Sequence, residues 1–545
     1  MRDYHLPGRS PVYATHGMAA TSMPAATLTA LDVLRAGGNA LDAAIAACAV
    51  LCVIEPQSTG IGGDCFCLYA PAGTSNVIAL NGSGRAPAAA TIDWYEGQGI
   101  TAIDNTSAHA VTVPGAMSAW AVLLAAYGRK GLDELLQPAI RFAAEGWPVH
   151  PKVSWDWQRH VPKLRKNGAL SFLPGGRAPN PGDLFRQPAL AETLRSIARH
   201  GVKAFYEGPI AADIVATLRA RGGLHTEEDF AVSAADAEFV EPITLNWRGY
   251  DVYQCPPNGQ GIAALQILNI LEGFDLRSMG RNSPETLHTM IEAKKLAWAD
   301  RAKFYADPAF AKIPLAGLLS KSYAAERRKL IDPNHAAKTV EAGNPALDQG
   351  DTIYMCAADD EGNMVSLIQS NYRGMGSGIV VPGLGFMFQD RGELFSMDPQ
   401  HANVYAPGKR PFHTIIPGFV MKDGKPWEAF GVMGGGMQPQ GHVQVLTNQI
   451  DFGLNVQEAG DASRWQHEGD NEPTSEKMTA SGGYVEVESG VPYETVRELR
   501  KKGHDVRFDV GGYGGYQAIK VEMHDGQRVY VGASESRKDG MAAGY

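Results

Sequence analysis

The 545-residue sequence predicts a mixed α/β fold. Two Ala- and Leu-rich stretches in the first sixth of the chain read as packed helices, and a strand, turn, strand pattern opens at Thr352. From 381 to 545, short apolar runs alternate with Pro- and Gly-rich connections.

The helical stretches cover 25–36 and 40–54, with Gly37, Gly38 and Asn39 between them, and their small side chains allow close packing. Residues 58–64, STGIGGD, then form a glycine turn that enters an apolar strand at 65–70. Further helices are expected over 118–127 and, with alternating charge, over 285–304. At 332–351 the character changes. DPNHAAKTVEAGNPALDQGD is polar and without apolar period, so it reads as an exposed linker. A hairpin follows: TIYMCAA at 352–358, the turn DDEGN at 359–363, and MVSLIQS at 364–370. Later apolar runs lie at 415–421, 428–433, 518–523 and 528–532.

With 44% hydrophobic and 20% charged residues, the chain can bury a large core and is not a disordered type. Its net charge is −10, and no basic stripe with interleaved aromatics is present, which excludes nucleic acid as a partner. The six cysteines form no CxxC pair and join no histidine cluster at zinc-like spacing. They read as buried free thiols in a reducing compartment, and no metal is expected. The start of the sequence has no apolar segment of the export type. The longest apolar run, between Asp42 and Glu55, is shorter than the roughly 20 residues that cross a bilayer. No membrane contact and a cytoplasmic location are therefore expected.

A linker that ends at a threonine opening a strand suits an N-terminal nucleophile. Cleavage before Thr352 would place a free α-amine beside the hydroxyl, and that amine, titrating near pH 7.7–8.0 in model compounds (about that value), can take the hydroxyl proton. Attack of the same hydroxyl on the Asp351 carbonyl would give an ester that water opens, so no separate protease is required. Taken alone, a threonine after Gly-Asp is an ordinary structural feature, and VMGGGM at 432–437 an ordinary turn. GIGGDC at 60–65 is not a dinucleotide-binding turn, because it follows a helix and has Cys65 at the last position.

Seven segments resemble the γ-glutamyltranspeptidase family, in order and along nearly the whole chain: 37–64, PPNGQG (256–261), EAKKLAWADRAKFYADP (292–308), GDTIYMCAADDEGNMVS (350–366), FGVMGGGMQPQ (430–440), DFGLNVQEA (451–459) and GASESRKDGMAAGY (532–545). The resemblance implies an αββα sandwich made as a precursor and cut between Asp351 and Thr352. It implies a large chain, 1–351, and a small chain, 352–545, intertwined in one unit. It also assigns Thr352 as nucleophile and Gly434 and Gly435 as the oxyanion-hole residues, where two backbone N–H groups would face the developing charge. No organic cofactor is implied. A homodimer is left open.

Several recognition positions depart from the family's pattern. Arg85, in NGSGRAP, stands two residues nearer the Ala-Pro pair than the family's carboxylate-binding arginine, with Ser83 at the aligned place. Ser370 replaces a threonine, Tyr372 an asparagine, and Leu394 the acidic partner of the α-ammonium, with Glu393 beside it. A serine pair aligns with His413 and Thr414, and Asp64 stands where glycine is more usual. Arg85, Ser370, Tyr372 and Glu393 are the candidate substrate contacts, although Arg85 also fits a surface arginine and Tyr372 a core aromatic. Such a pattern is similar to the family's divergent members, oxamate amidohydrolase and cephalosporin-type acylases, and implies hydrolysis of the amide of a small acidic acyl group. Two alternatives stand beside it: a γ-glutamyl hydrolase or transferase acting on glutathione, and an unprocessed binding protein.

Overall fold

The helix Ala40–Ile54 shows how small side chains build this fold. Asn39 caps it, accepting from the N–H groups of Leu41 and Asp42 while the Asp42 carboxylate returns to the Asn39 N–H. All fifteen residues are buried. The alanines let the helix lie close both to the helix Pro24–Arg35 and to the sheet beneath it. The expected helix at 118–127 is Ala116–Tyr127, and that at 285–304 is Pro284–Phe304, whose Ser283 side chain caps the Thr286 N–H.

The computed structural model describes residues 8–340 and 351–545. Of the linker reading at 332–351, positions 341–350 lie outside the described residues, while 332–340 is irregular and mostly exposed. It is tied down at several points: Ala337 N donates to Glu292 Oε2, Ala337 O accepts from Lys295 Nζ, Ala336 N donates to Lys502 O and Pro333 O accepts from Lys502 Nζ.

The hairpin takes the form its turn residues dictate. Strand Asp351–Ala358 pairs antiparallel with Met364–Tyr372. Between them Asp359 Oδ1 accepts from the N–H groups of Glu361, Gly362 and Asn363, at 3.1, 3.1 and 3.0 Å. Asp359 Oδ2 accepts from Ala40 N at 2.9 Å, locking the turn to the start of the helix Ala40–Ile54.

Two seven-stranded antiparallel sheets result. The first runs Met541–Gly544, Met18–Thr21, Asp351–Ala358, Met364–Tyr372, Asp64–Ala70, Ile78–Gly82, Glu238–Val240. The second runs Val12–Ala14, Gln527–Ser534, Tyr516–His524, Lys425–Val432, Gly418–Lys422, Tyr250–Gln254, Ile243–Trp247. Segments before and after position 351 contribute strands to both.

Alternation along each strand sorts side chains into layers. Phe66, Leu68, Tyr354, Cys356 and Ile368 from the first sheet meet Phe419, Met421, Ala429, Ile519 and Tyr530 from the second. On the other face of the first sheet, Ile353, Met355, Val365 and Leu367 pack against the helices Pro24–Arg35, Ala40–Ile54 and Ala116–Tyr127. On the far face of the second, Val252, Val420, Phe430 and Val432 pack against Gly261–Leu271, Pro284–Phe304 and Met437–Ile450. The architecture is the αββα sandwich. All six cysteines are buried and unpaired.

Because Phe66 lies wholly within the layer between the sheets, Phe66→Ala should destabilise the protein by about 3–5 kcal/mol. Chemical denaturation checks this, and a loss below about 1 kcal/mol would mean that the layer collapses around the deletion.

Candidate active site

Thr352 has the strand parity of Tyr354 and Cys356, so it stands at the end of the inter-sheet layer. It is 1% exposed, and its Oγ1 donates to Ser370 Oγ at 3.3 Å. Ser370, on the neighbouring strand, accepts in turn from Tyr372 N at 2.7 Å. Glycines make room for this strand end: a Cβ at Gly63, in STGIGGD, would lie 2.6 Å from the Ser370 carbonyl oxygen. Tyr372 takes φ +74°, a conformation costly for a bulky side chain and characteristic of functional sites. Its ring lies 4.5 Å from the Arg391 guanidinium and 5.0 Å from that of Arg373. The buried Tyr372 hydroxyl has no hydrogen-bond partner among the described residues.

Gly434 and Gly435 follow the strand Lys425–Val432 with φ values of +109° and +54°. At Gly434 a Cβ would come 3.2 Å from Gly514 Cα, so the backbone conformation calls for glycine. Both carbonyls turn toward the helix Met437–Ile450, accepting from Met437 N at 2.8 Å and Gln438 N at 3.2 Å. The N–H groups of Gly434 and Gly435 have no acceptor among the described residues.

A continuous chain of contacts joins the two halves of the site. Gln260 Nε2 donates to Gly435 O at 2.9 Å and to Thr414 O at 2.7 Å, while its Oε1 accepts from Arg301 Nη1 at 2.7 Å. Thr414 Oγ1 accepts from Arg391 Nη1 at 2.6 Å. Arg391 sits on Tyr372, whose N–H reaches Ser370, the partner of Thr352. Beside Gly434 opens a cavity of about 510 Å³ walled by Met433, Trp155, Arg159, His160 and Lys538.

Asp64 is paired in register with Ser370. Its carboxylate accepts from Gly84 N at 3.1 Å, Gly115 N at 3.0 Å and His413 Nε2 at 3.0 Å. Burial, with the nearby Arg391 charge, pushes His413 down to about 4, so at neutral pH it is the uncharged imidazole with its proton on Nε2. Burial also pulls the Arg391 guanidinium down to about 10, still charged at neutral pH.

The sequence-predicted residues divide. Thr352, Ser370 and Tyr372 are brought together, and Gly434 and Gly435 are linked to them through Gln260, Thr414 and Arg391. Arg85 is engaged elsewhere, its Nε 2.9 and 2.7 Å from the two Asp236 carboxylate oxygens and its Nη1 3.1 Å from Gly408 O. Glu393 pairs with Arg373 at 2.8 and 3.0 Å and borders a second cavity with Glu96, Met397, Asp398 and Glu476. Asp351 is described only as backbone, opposite Tyr372 in the strand register. Sequence reasoning missed Arg391, Gln260 and the reach of Asp64. Arg391 gives no local signal in FQDRGELF, and Gln260 lies within the quoted PPNGQG without standing out.

The four layers are those of an N-terminal-nucleophile type of hydrolase. The family profile described as gamma-glutamyltranspeptidase matches residues 26–545, and the chain belongs to that family. The "Glutathione hydrolase-like YwrD proenzyme" of Bacillus subtilis is 37% identical over 518 residues, covering 94% of this chain and 95% of that one. The "Oxamate amidohydrolase proenzyme" of Klebsiella pneumoniae is 34% identical over 543 residues, covering 98% and 99%. Among solved structures, cephalosporin acylase from Bacillus halodurans superposes with a TM-score of 0.89 at 42% identity, covering 100% of this chain and 99% of that one. The chain is an amidohydrolase-type enzyme of this family, and no helix among the described residues is long and apolar enough to cross a membrane.

Asp64→Ala would leave two buried amides and the His413 proton without an acceptor. Each orphaned donor costs about 1–3 kcal/mol, so stability should fall by at least about 3 kcal/mol. A denaturation midpoint equivalent to a loss under about 1 kcal/mol would show that the carboxylate does not hold these elements.

Proposed function

We propose that the chain cuts itself between Asp351 and Thr352 and then hydrolyses the amide of a small acidic acyl group through an acyl-Thr352 intermediate. One observation carries the reading: the Thr352 hydroxyl, at the open end of a central strand, belongs to the same connected set of contacts as two glycines whose N–H groups lack an acceptor.

In the first stage the Thr352 hydroxyl attacks the Asp351 carbonyl carbon, the peptide nitrogen is released as the Thr352 α-amine, and water opens the resulting ester. Asp351 then ends one chain and Thr352 begins the other. Since Asp351 lies opposite Tyr372 in the uncut register, its departure frees the strand edge beside Ser370 and Tyr372. In the second stage the α-amine, with an ordinary value of about 7.7–8.0, takes the hydroxyl proton as oxygen attacks a substrate amide. The N–H groups of Gly434 and Gly435 receive the charge on the carbonyl oxygen. The amine leaves with a proton, and a water, activated by the same α-amine, hydrolyses the ester.

The relatives support this reading, since their names describe a glutathione hydrolase-like enzyme, an oxamate amidohydrolase and a cephalosporin acylase, and the first two are called proenzymes. An acyl group without an α-ammonium is favoured over γ-glutamyl because Leu394, aligned with the ammonium's acidic partner, is fully buried and apolar, and Glu393 is held by Arg373.

Thr352→Ala should give a single full-length band on a denaturing gel and no amide hydrolysis, whereas wild type gives two fragments, the smaller beginning at Thr352 by Edman sequencing. An intact 351–352 bond in active wild-type protein would overturn the proposal. Gly434→Ala keeps the N–H but strains the backbone at φ +109° and crowds Gly514, so it should misalign that oxyanion donor and lower kcat by up to about 10²- to 10³-fold. A decrease of less than about threefold, in protein that processes normally, would move the oxyanion site elsewhere.

A further inference from the structure

Arg391 is fully buried, and its guanidinium is only partly used. Nη1 donates to Thr414 Oγ1, while Nε and Nη2 have no partner among the described residues. Nε and Nη2 form one edge of the planar group, the edge that can meet both oxygens of a carboxylate at once. None of the neighbouring carboxylates is hydrogen-bonded to that edge, although Asp390 Oδ2 is itself without a hydrogen-bond partner among the described residues. Asp64 serves Gly84, Gly115 and His413; Glu393 pairs with Arg373; Asp390 accepts from Arg373 N and lies 3.7 Å from Lys163 Nζ. A buried guanidinium edge with nothing to bind is unfavourable, and native proteins satisfy such groups with a protein partner, water or a ligand.

The position of this edge matters as much as its emptiness. Arg391 lies against the ring of Tyr372, itself bound to the Ser370 that accepts from Thr352, and on its other side reaches Gly435 through Thr414 and Gln260. The unpartnered Tyr372 hydroxyl belongs to the same cluster. Unfilled donors thus recur along one path of contacts: the Arg391 edge and the Tyr372 hydroxyl lie against each other, and the two glycine amides are joined to them through Thr414 and Gln260.

We propose that the Nε and Nη2 edge of Arg391, seated on Tyr372, is the receptor for a carboxylate carried by the acyl group, and is the residue that sets acyl specificity. The proposal rests on the Thr352 hydrolase reading above. Glycine amides would hold the reacting carbonyl and Arg391 the distal carboxylate, so the preferred substrates are monoamides of short dicarboxylic acids. A cationic α-substituent near Arg391 meets like charge, which selects against γ-glutamyl groups.

The test compares the p-nitroanilides of oxalate, succinate and glutarate monoacids with γ-glutamyl p-nitroanilide and with neutral butyryl p-nitroanilide, using processed wild-type enzyme. At least one dicarboxylic monoanilide should exceed the neutral anilide in kcat/KM by about 100-fold, and glutaryl should exceed γ-glutamyl. Arg391→Gln should erase most of that preference, chiefly through KM, while Arg391→Lys, which keeps charge but loses the planar fork, should fall between. Should Arg391→Gln not fold, free succinate or glutarate must still inhibit wild type competitively, whereas the corresponding diamides must not. Equal losses on charged and neutral anilides in Arg391→Gln, wild-type indifference to the carboxylate, or no inhibition by the free diacids would each overturn the assignment. Failure of the hydrolase reading would look different: no fragments on the gel and no cleavage of any anilide.

Discussion

The period of two along the paired strands Asp351–Ala358 and Met364–Tyr372 governs where the hydroxyls of Thr352 and Ser370 point. Odd positions such as Ile353, Met355, Val365 and Leu367 belong to the layer beneath the helices, and even positions such as Tyr354, Cys356 and Ile368 fill the space between the sheets. Thr352 and Ser370 carry even numbers and stand side by side at the strand ends, where the apolar filling stops. A slip of one residue in this register would turn both hydroxyls toward the helix Ala40–Ile54, so packing specifies the register strongly. Asp359 adds a second restraint, since its carboxylate fixes the turn and reaches Ala40 N.

Around that strand end the structure gathers hydrogen-bond donors and leaves them unfilled. Buried polar groups in folded proteins are ordinarily paired, so a concentration of exceptions is informative. The Arg391 edge, the Tyr372 hydroxyl and the buried Gly435 amide are such exceptions, as are the acceptors Asn371 Oδ1 and Asp390 Oδ2, whereas Asp64 close by is satisfied three times over. The satisfied carboxylate holds the walls in place. On the reading proposed above, the unsatisfied donors are what a ligand's acceptor oxygens would meet.

Much of this was legible in the sequence. The helices at 25–36 and 40–54, the hairpin at 352–370 and the later strands follow from local periodicity and turn residues, and each is found within a few residues of its expected place. The glycines of STGIGGD and VMGGGM were visible as places where backbone comes close. What they approach was not, because Gly63 against Ser370 and Gly434 against Gly514 join segments hundreds and tens of residues apart. Arg85 illustrates the same limit. Its spacing from an Ala-Pro pair suggested a carboxylate ligand, yet Asp236, distant in sequence, engages its guanidinium. Arg391 had no helical or strand pattern to mark it, and its importance comes from burial and an unused edge, properties that exist only after folding.

On the proposed reading, the departures from the family's recognition pattern form one coupled change. Tyr372 in place of asparagine supplies a ring, and a guanidinium lies on that ring at 4.5 Å. Its φ of +74° is a strained conformation for a tyrosine, held because Ser370 Oγ binds its N–H and the surrounding core encloses the ring. Leu394, where an acidic side chain would answer an ammonium, instead contributes an apolar surface to the same core as Tyr372. His413, kept neutral by burial, adds no positive charge and is spent on Asp64. On the proposed reading it is the unpartnered edge of Arg391, beside the carboxylates of Asp64 and Asp390, that would receive an anion. The arrangement around Thr352 and the glycines needs no alteration for that change, so chemistry and selectivity can be varied separately on this scaffold.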